Sequence, residues 1–215
     1  MNGGSMNNCD ELELSEIHLD ALREICNIGM GHAATALNQM IGRPISLSIP
    51  ETSLVPLAEV PDLMGGTDKV VAGIYLKIWG DIQGNMLLVF PRESARALVS
   101  LLTGDAPEEF LLSEMHASAL REIGNILASS YLSALERLLG KTLIPSVPSI
   151  SFDMAGAIVD YILIQLGEEV DRTLVIKAAF SGDGGSIQGN FFLLPDPRSL
   201  RIILQAAKVL AEDMN

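Results

Sequence analysis

The sequence predicts one mixed α/β domain of the α+β kind, built with pseudo-twofold symmetry: a central β-sheet and two long helices that bear the same polar motif. Three observations lead there. Asp20-x3-Glu24-x2-Asn27 recurs as Ser118-x3-Glu122-x2-Asn125 at a constant offset of 98 residues, and in each copy a proline, Pro50 or Pro148, follows the asparagine after 22 intervening positions. Flanking matches extend the repeat: Leu14-Ser15-Glu16-x-His18 returns as Leu112-Ser113-Glu114-x-His116, and Ile82-Gln83-Gly84-Asn85 as Ile187-Gln188-Gly189-Asn190. The chain is a tandem duplication. Its 215 residues make each copy too short for an average domain, so one symmetric unit is expected.

Residues 1–13 read as a flexible lead, with repeat one over about 14–105 and repeat two over about 112–213. Each repeat opens with a long helix, its N-cap expected at Ser15 or Ser113 with an acid in the first turn, where carboxylates favour the positive end of the helix dipole. Apolar residues at helical spacing (Leu22, Ile25, Ala33, Ala36, Met40; then Leu120, Ile123, Leu127, Ala134, Leu138) run to Gly42 and Gly140, where glycine ends a helix well. Short alternating segments ending in proline follow, Pro44–Pro50 and Ile144–Pro148, and these read as edge or entry strands. Further strands are expected at Val70–Trp79 and Gly84–Phe90, and in the second copy at Ala157–Leu166, Thr173–Phe180 and Gly189–Leu194. A helix beginning at Pro91 or at Asp196-Pro197 closes each repeat, since proline suits the first helical turn.

Composition narrows the partners. The chain carries 14 basic against 27 acidic residues, a net charge of −13, which repels phosphate backbones and anionic headgroups. Nucleic acid is therefore not expected. Cys9 and Cys26 have no CxxC spacing and form no disulfide framework, as in a reduced, cytoplasmic protein. No stretch reaches the roughly 18 apolar residues of a spanning helix, so no membrane insertion is expected.

On a helical wheel Asp20, Glu24, Asn27 and Gly31 cluster opposite the apolar residues, and Ser118, Glu122, Asn125 and Ser129 do the same; the motif faces solvent. An isolated Glu-x-x-Asn is an ordinary solvated pair. Here the exposed Glu and Asn are identical in register while packed positions such as Met40 and Leu138 differ. Asparagine is also a mediocre helix former, so its presence mid-helix in both copies points to use. Other chemistry is thin: His18 and His116 recur on the apolar side as capping or packing residues, and His32 has no counterpart. The sequence holds no zinc spacing, Walker loop, nucleophile elbow or dinucleotide fingerprint, and Gly182-Asp183-Gly184-Gly185 reads as an inter-strand turn.

The doubled Asp/Ser-x3-Glu-x2-Asn-x22-Pro pattern, with "NIGMGHAATAL" after the first Glu, resembles the CheC, CheX and FliY phosphatases of chemotaxis. The resemblance spans nearly the whole chain and is of the CheC kind, with two intact copies. It implies hydrolysis of the aspartyl phosphate on CheY-type receivers, with Asn27 and Asn125 as catalytic carboxamides. Glu24 and Glu122 would pair with a receiver lysine. Asp20 and Ser118 open the motif, and Pro50 and Pro148 close it in a structural role. Cys26 stands where the family commonly has Gly, as this chain does at Gly124.

The implied chemistry needs no cofactor from this chain, because the receiver is expected to bring Mg²⁺ and an already activated acyl phosphate. A carboxamide that orients water in line with phosphorus is sufficient. A solvated carboxylate is a poor base at neutral pH, so docking is the better role for the glutamates. The resemblance further implies CheD, a receptor deamidase, as a partner. Two alternatives stand beside the phosphatase: a non-catalytic module that docks receivers or CheD, and a one-site enzyme with a vestigial copy.

Overall fold

A computed structural model of the protein describes residues 16–42, 44–104, 113–166, 172–182 and 185–213. Residues 1–13, where a flexible lead is expected, the expected cap Ser15, and Asp183-Gly184 of the expected glycine turn lie outside the described residues. The chain runs α1 (Glu16–Ile41), β1 (Ile45–Pro56), a 3₁₀ turn (Leu57–Glu59), α2 (Val60–Leu63), β2 (Val70–Gly80), β3 (Gly84–Pro91) and α3 (Arg92–Thr103). The second half runs α4 (Glu114–Leu139), β4 (Leu143–Pro145), β5 (Ser149–Met154), α5 (Ala155–Leu166), β6 (Arg172–Gly182), β7 (Gly185–Pro195) and α6 (Pro197–Asp213).

The two motif helices are the expected ones. Each ends at a glycine with positive φ, 70° at Gly42 and 57° at Gly140, a conformation that is cheap only without a Cβ. Ser113 caps α4 by accepting from the His116 N–H at 3.3 Å, which satisfies one of the unpaired donors of the first turn. The His116 ring is buried. At the start of α6, Asp196 accepts from the Ser199 N–H at 2.6 Å.

All seven described strands join one antiparallel sheet in the order β1-β6-β7-β3-β2-β4, with β5 also paired to β2. Exchanging the halves maps this order onto itself about the central β7–β3 pair. The outer strand of each half therefore lies on the other half: β1 pairs with β6, while β4 and β5 pair with β2. Along β2 the residues Ala72, Ile74, Leu76 and Ile78 point into a core shared with α1, α3, α4 and α6, as period-two geometry requires. On the opposite face Val71, Leu87, Val89, Val175 and Phe192 meet residues of α2 and α5 in a second, smaller core.

Three expectations need correction. Ala157–Leu166 is not a strand but most of α5; its β-branched run reads either way by composition, yet Ala155, Ile158, Val159 and Ile162 are buried at helical spacing on the second core. The proline segments do not end their strands, for β1 continues to Pro56, and β5 resumes one residue beyond Pro148. Met40, expected among the packed residues, is exposed, because Leu37 and Ile41, four residues apart, hold the core-facing line at the end of α1.

Candidate functional site

The proline of each motif sits where the edge strand slips its register. In β1 the partners Ser48↔Ala179 and Glu51↔Lys177 leave Ile49 and Pro50 together opposite the single residue Ala178, which is a β-bulge. The second copy repeats it. Pro145 pairs with Ile78 and Ser149 with Tyr75, while Ser146 is bonded on both sides to Lys77, its N–H to the Lys77 carbonyl at 2.8 Å and its hydroxyl from the Lys77 N–H at 2.9 Å. That leaves Val147 and Pro148 opposite Leu76. Proline has no N–H to give a ladder and tolerates only edges and bulges, so the distant proline of the motif is a break in an edge strand that runs beside the motif helix.

In the first copy Asp20 and Glu24 are exposed on α1 and Asn27 is half-buried. At the bulge the Ile49 N–H turns to α1 and donates to the Asn27 Oδ1 at 3.1 Å. With the oxygen so engaged, the Asn27 amino group is the end left for another partner. Asp20 holds Arg23 at 2.9 Å, an exposed pair that contributes little stability but directs the guanidinium along the helix. Cys26, next to Asn27, turns the other way into the core, and burial pushes its thiol up to about 12. The Tyr131 hydroxyl of α4, likewise raised well above its ordinary value by burial, lies beside it.

In the second copy Ser118, Arg121, Glu122 and Asn125 of α4 form one wall of an open groove of about 440 Å³, and Pro145–Pro148 forms the other. The structure thus gathers the motif serine, glutamate, asparagine and proline on one surface. Among the described residues the Asn125 carboxamide makes no hydrogen bond. Val147 is 88% exposed, whereas its counterpart Ile49 is 3% exposed. Arg121 extends to Glu114 at 3.6 Å, because Ser118 offers no carboxylate in the place of Asp20.

Sequence reasoning did not identify the Ile49 N–H, Arg121 or the Ser146-Val147 wall. Main-chain donors leave no residue signature, and the only available sign was the fixed asparagine-to-proline spacing. A separate hollow of about 300 Å³ opens on the far face of the sheet, lined by Tyr75, Ser149, Ser151, Asp153, Ile158 and Tyr161 among others; no motif residue reaches it. There the Tyr75 hydroxyl donates to the Asn85 Oδ1, and burial raises the Tyr75 pKa.

The arrangement offers a carboxylate and a carboxamide one helical turn apart, and the thiol that lies between them in the first copy, Cys26, is buried in the core. Among the described residues no three His, Cys, Asp or Glu are placed to hold a metal ion, and no helix is long and apolar enough to cross a membrane. Such a surface can grip a cationic side chain with its acid and orient a water with its amide.

Comparison with known proteins bears on this geometry. The family model described as "CheC-like family" matches residues 17–54 and 115–152, the two helix-plus-bulge units. A CheY-P phosphatase CheC of Bacillus subtilis is 36% identical over 188 residues, covering 85% of this chain and 90% of the relative. The chain belongs to the CheC-like family. A flagellar motor switch phosphatase FliY of Bacillus subtilis is 26% identical over 140 residues, which is 64% of this chain and 36% of the FliY. Among solved structures, Thermotoga maritima FliY superposes with a TM-score of 0.75 at 20% identity, over 92% of this chain and 99% of the other, and so has the same fold.

Proposed function

We propose that this CheC-like protein is a hydrolase that removes the phosphoryl group from the aspartyl phosphate of CheY-type response regulators, and that it does so at two sites, Glu24 with Asn27 and Glu122 with Asn125. The observation that most supports the reading is the doubled Glu–Asn pair on two solvent-facing helices, each beside the same proline bulge, in a chain 36% identical to a CheY-P phosphatase.

In the reaction, water adds to phosphorus, the bond from phosphorus to the aspartyl oxygen breaks, and the carboxylate leaves as a free aspartate. The water proton passes to solvent or to the phosphate product. Asn27 or Asn125 holds the water in line, and the matching glutamate pairs with a receiver lysine. The receiver contributes Mg²⁺ and the activated acyl phosphate, so this chain supplies placement. A net charge of −13 favours encounter with a lysine-bearing surface. The setting is the cytoplasm, where such receivers are phosphorylated.

The deciding measurement is the decay of a phosphorylated CheY-type receiver with catalytic amounts of wild type, Asn27→Ala, Asn125→Ala and the double variant. The expected result is faster decay with wild type, partial loss in each single variant, and loss on the order of 10² in the double variant. No acceleration by wild type would leave a docking module instead. CheD is the second proposed partner, resting on the family resemblance; failure of the protein to retain its cognate CheD in a pull-down would remove it.

A further inference from the structure

We infer that the main-chain N–H of Ile49 is a positioning group for Asn27, made available by the bulge at Pro50, and that the first site is thereby set before a partner arrives while the second is not. The inference rests on the hydrolase reading for its catalytic meaning and on geometry for the contact itself.

An edge strand in regular pairing commits alternate N–H groups to its neighbour and turns the others outward. At the bulge Ile49 and Pro50 share one partner position; the Ile49 N–H is directed at α1, and Pro50 cannot compete for an acceptor because it has no N–H. The donor meets the Asn27 Oδ1 at 3.1 Å.

A carboxamide on an exposed helix samples several rotamers and can present either end outward. One bond from a fixed main-chain donor removes that freedom: it selects the rotamer, directs the oxygen toward β1 and leaves the amino group and one oxygen lone pair for a water or a phosphoryl oxygen. The ordering of the catalytic group is then complete before docking. The Ile49 side chain is buried, which anchors the donor in the sheet.

The second site has the same bulge with a different outcome. Asn125 makes no hydrogen bond among the described residues, its groove is open, and Val147 stands out into solvent where Ile49 is inserted in the core. Repetition of the Glu-x2-Asn pair and its distant proline therefore conceals two differently prepared amides. Asn125 must be ordered during docking, by the incoming receiver or by inward movement of Val147.

The test replaces Ile49 in the full-length chain by its α-hydroxy acid analogue, which exchanges the N–H for an ester oxygen and keeps the side chain. In an Asn125→Ala background, which reports the first site alone, kcat should fall about fivefold, the worth of one net amide hydrogen bond. KM for the phosphorylated receiver should not change. In an Asn27→Ala background the same ester should leave the second site's kcat and KM as they were. Unchanged kcat in the first case, or equal losses at both sites, overturns the positioning role.

Amide hydrogen exchange reads the contact without reference to activity. The Ile49 N–H should exchange slowly in the wild type, about fivefold faster in Asn27→Ala, and slowly again in Asn27→Asp, which retains an acceptor oxygen. Equal rates in all three overturn the inference even if the ester chain does not fold. If the exchange pattern appears but no form of the protein shortens the receiver's phosphorylated lifetime, the hydrolase reading falls and takes the catalytic role with it, while the contact stands.

Discussion

Gly29 of α1 lies so close to Ala134 of α4 that a Cβ built on it would stand 2.8 Å from the Ala134 Cβ and 3.1 Å from the Ser130 carbonyl. The two motif helices touch backbone to backbone at that point, two residues beyond Asn27. Gly29→Ala should force them apart at a cost of about 1–3 kcal/mol, the usual penalty for overpacking. Thermal unfolding would register the loss. Gly31→Ala makes the opposite case, since nothing lies within 4 Å of its added Cβ; there the helix should gain up to about 1 kcal/mol, with any change in receiver turnover confined to the first site.

Val147→Ser tests the wall of the second groove. With Val147 88% exposed, the substitution should leave the free energy of unfolding within about 0.5 kcal/mol of wild type. In an Asn27→Ala background, KM for the phosphorylated receiver should rise severalfold, because an apolar contact is lost beside the amide that must be ordered on docking. Unaltered KM would remove Val147 from the docking surface.

The buried thiol makes a prediction about pH. An unfolded cysteine gives up its proton near 9.0, whereas folded Cys26 holds it until about 12. Between those values the unfolded chain carries fewer protons, so stability falls as pH rises through that window. The Tyr131 hydroxyl, raised for the same reason, adds loss of the same sign above its ordinary value. Denaturant midpoints measured from pH 8 to 11 should show a decline that Cys26→Ala lessens. At pH 8, alkylation of Cys26 in the folded chain should be far slower than in denaturant, since the thiolate is the reacting form and burial both disfavours and shields it.

Ile158→Ala tests the second core. Its side chain fills the space opposite Gly73, whose added Cβ would fall 2.9 Å from the Ile158 Cδ1, and removal should cost about 2–5 kcal/mol. Site activity should persist at temperatures below the lowered midpoint, because α1 and α4 pack on the other face of the sheet.

The polar motif and the long helices were legible because helical periodicity and a duplicated register are both recorded in residue identity. Leu22, Leu120, Ile123 and Leu127 are buried and Glu24 and Glu122 exposed, as the wheel requires. What escaped was decided by tertiary pairing. The Ala157–Leu166 run satisfies strand composition and helix spacing at once, and the hydrophobic face of α2 and α5 decides for the helix. The continuation of β1 beyond Pro50 depends on β6, a strand more than a hundred residues later, so no local rule could extend it. The Ile49 donor belongs to the main chain, where the twenty side chains write nothing.

The exchange of outer strands between halves settles what can be separated in this molecule. Cut at the connection between α3 and α4, the first half would retain only the β2–β3 hairpin, with β1 stripped of β6 and both flanks of the hairpin bare; the second would be left with β6–β7 in the same condition. Exposed hydrogen-bonding edges of that kind recruit any strand available. Each half is thus the other's assembly template. The Asn27 amide is tied to a strand whose ladder belongs to repeat two, and the groove at Asn125 is walled by a segment hung on repeat one, so two fragments mixed in solution should recover both sites together or neither.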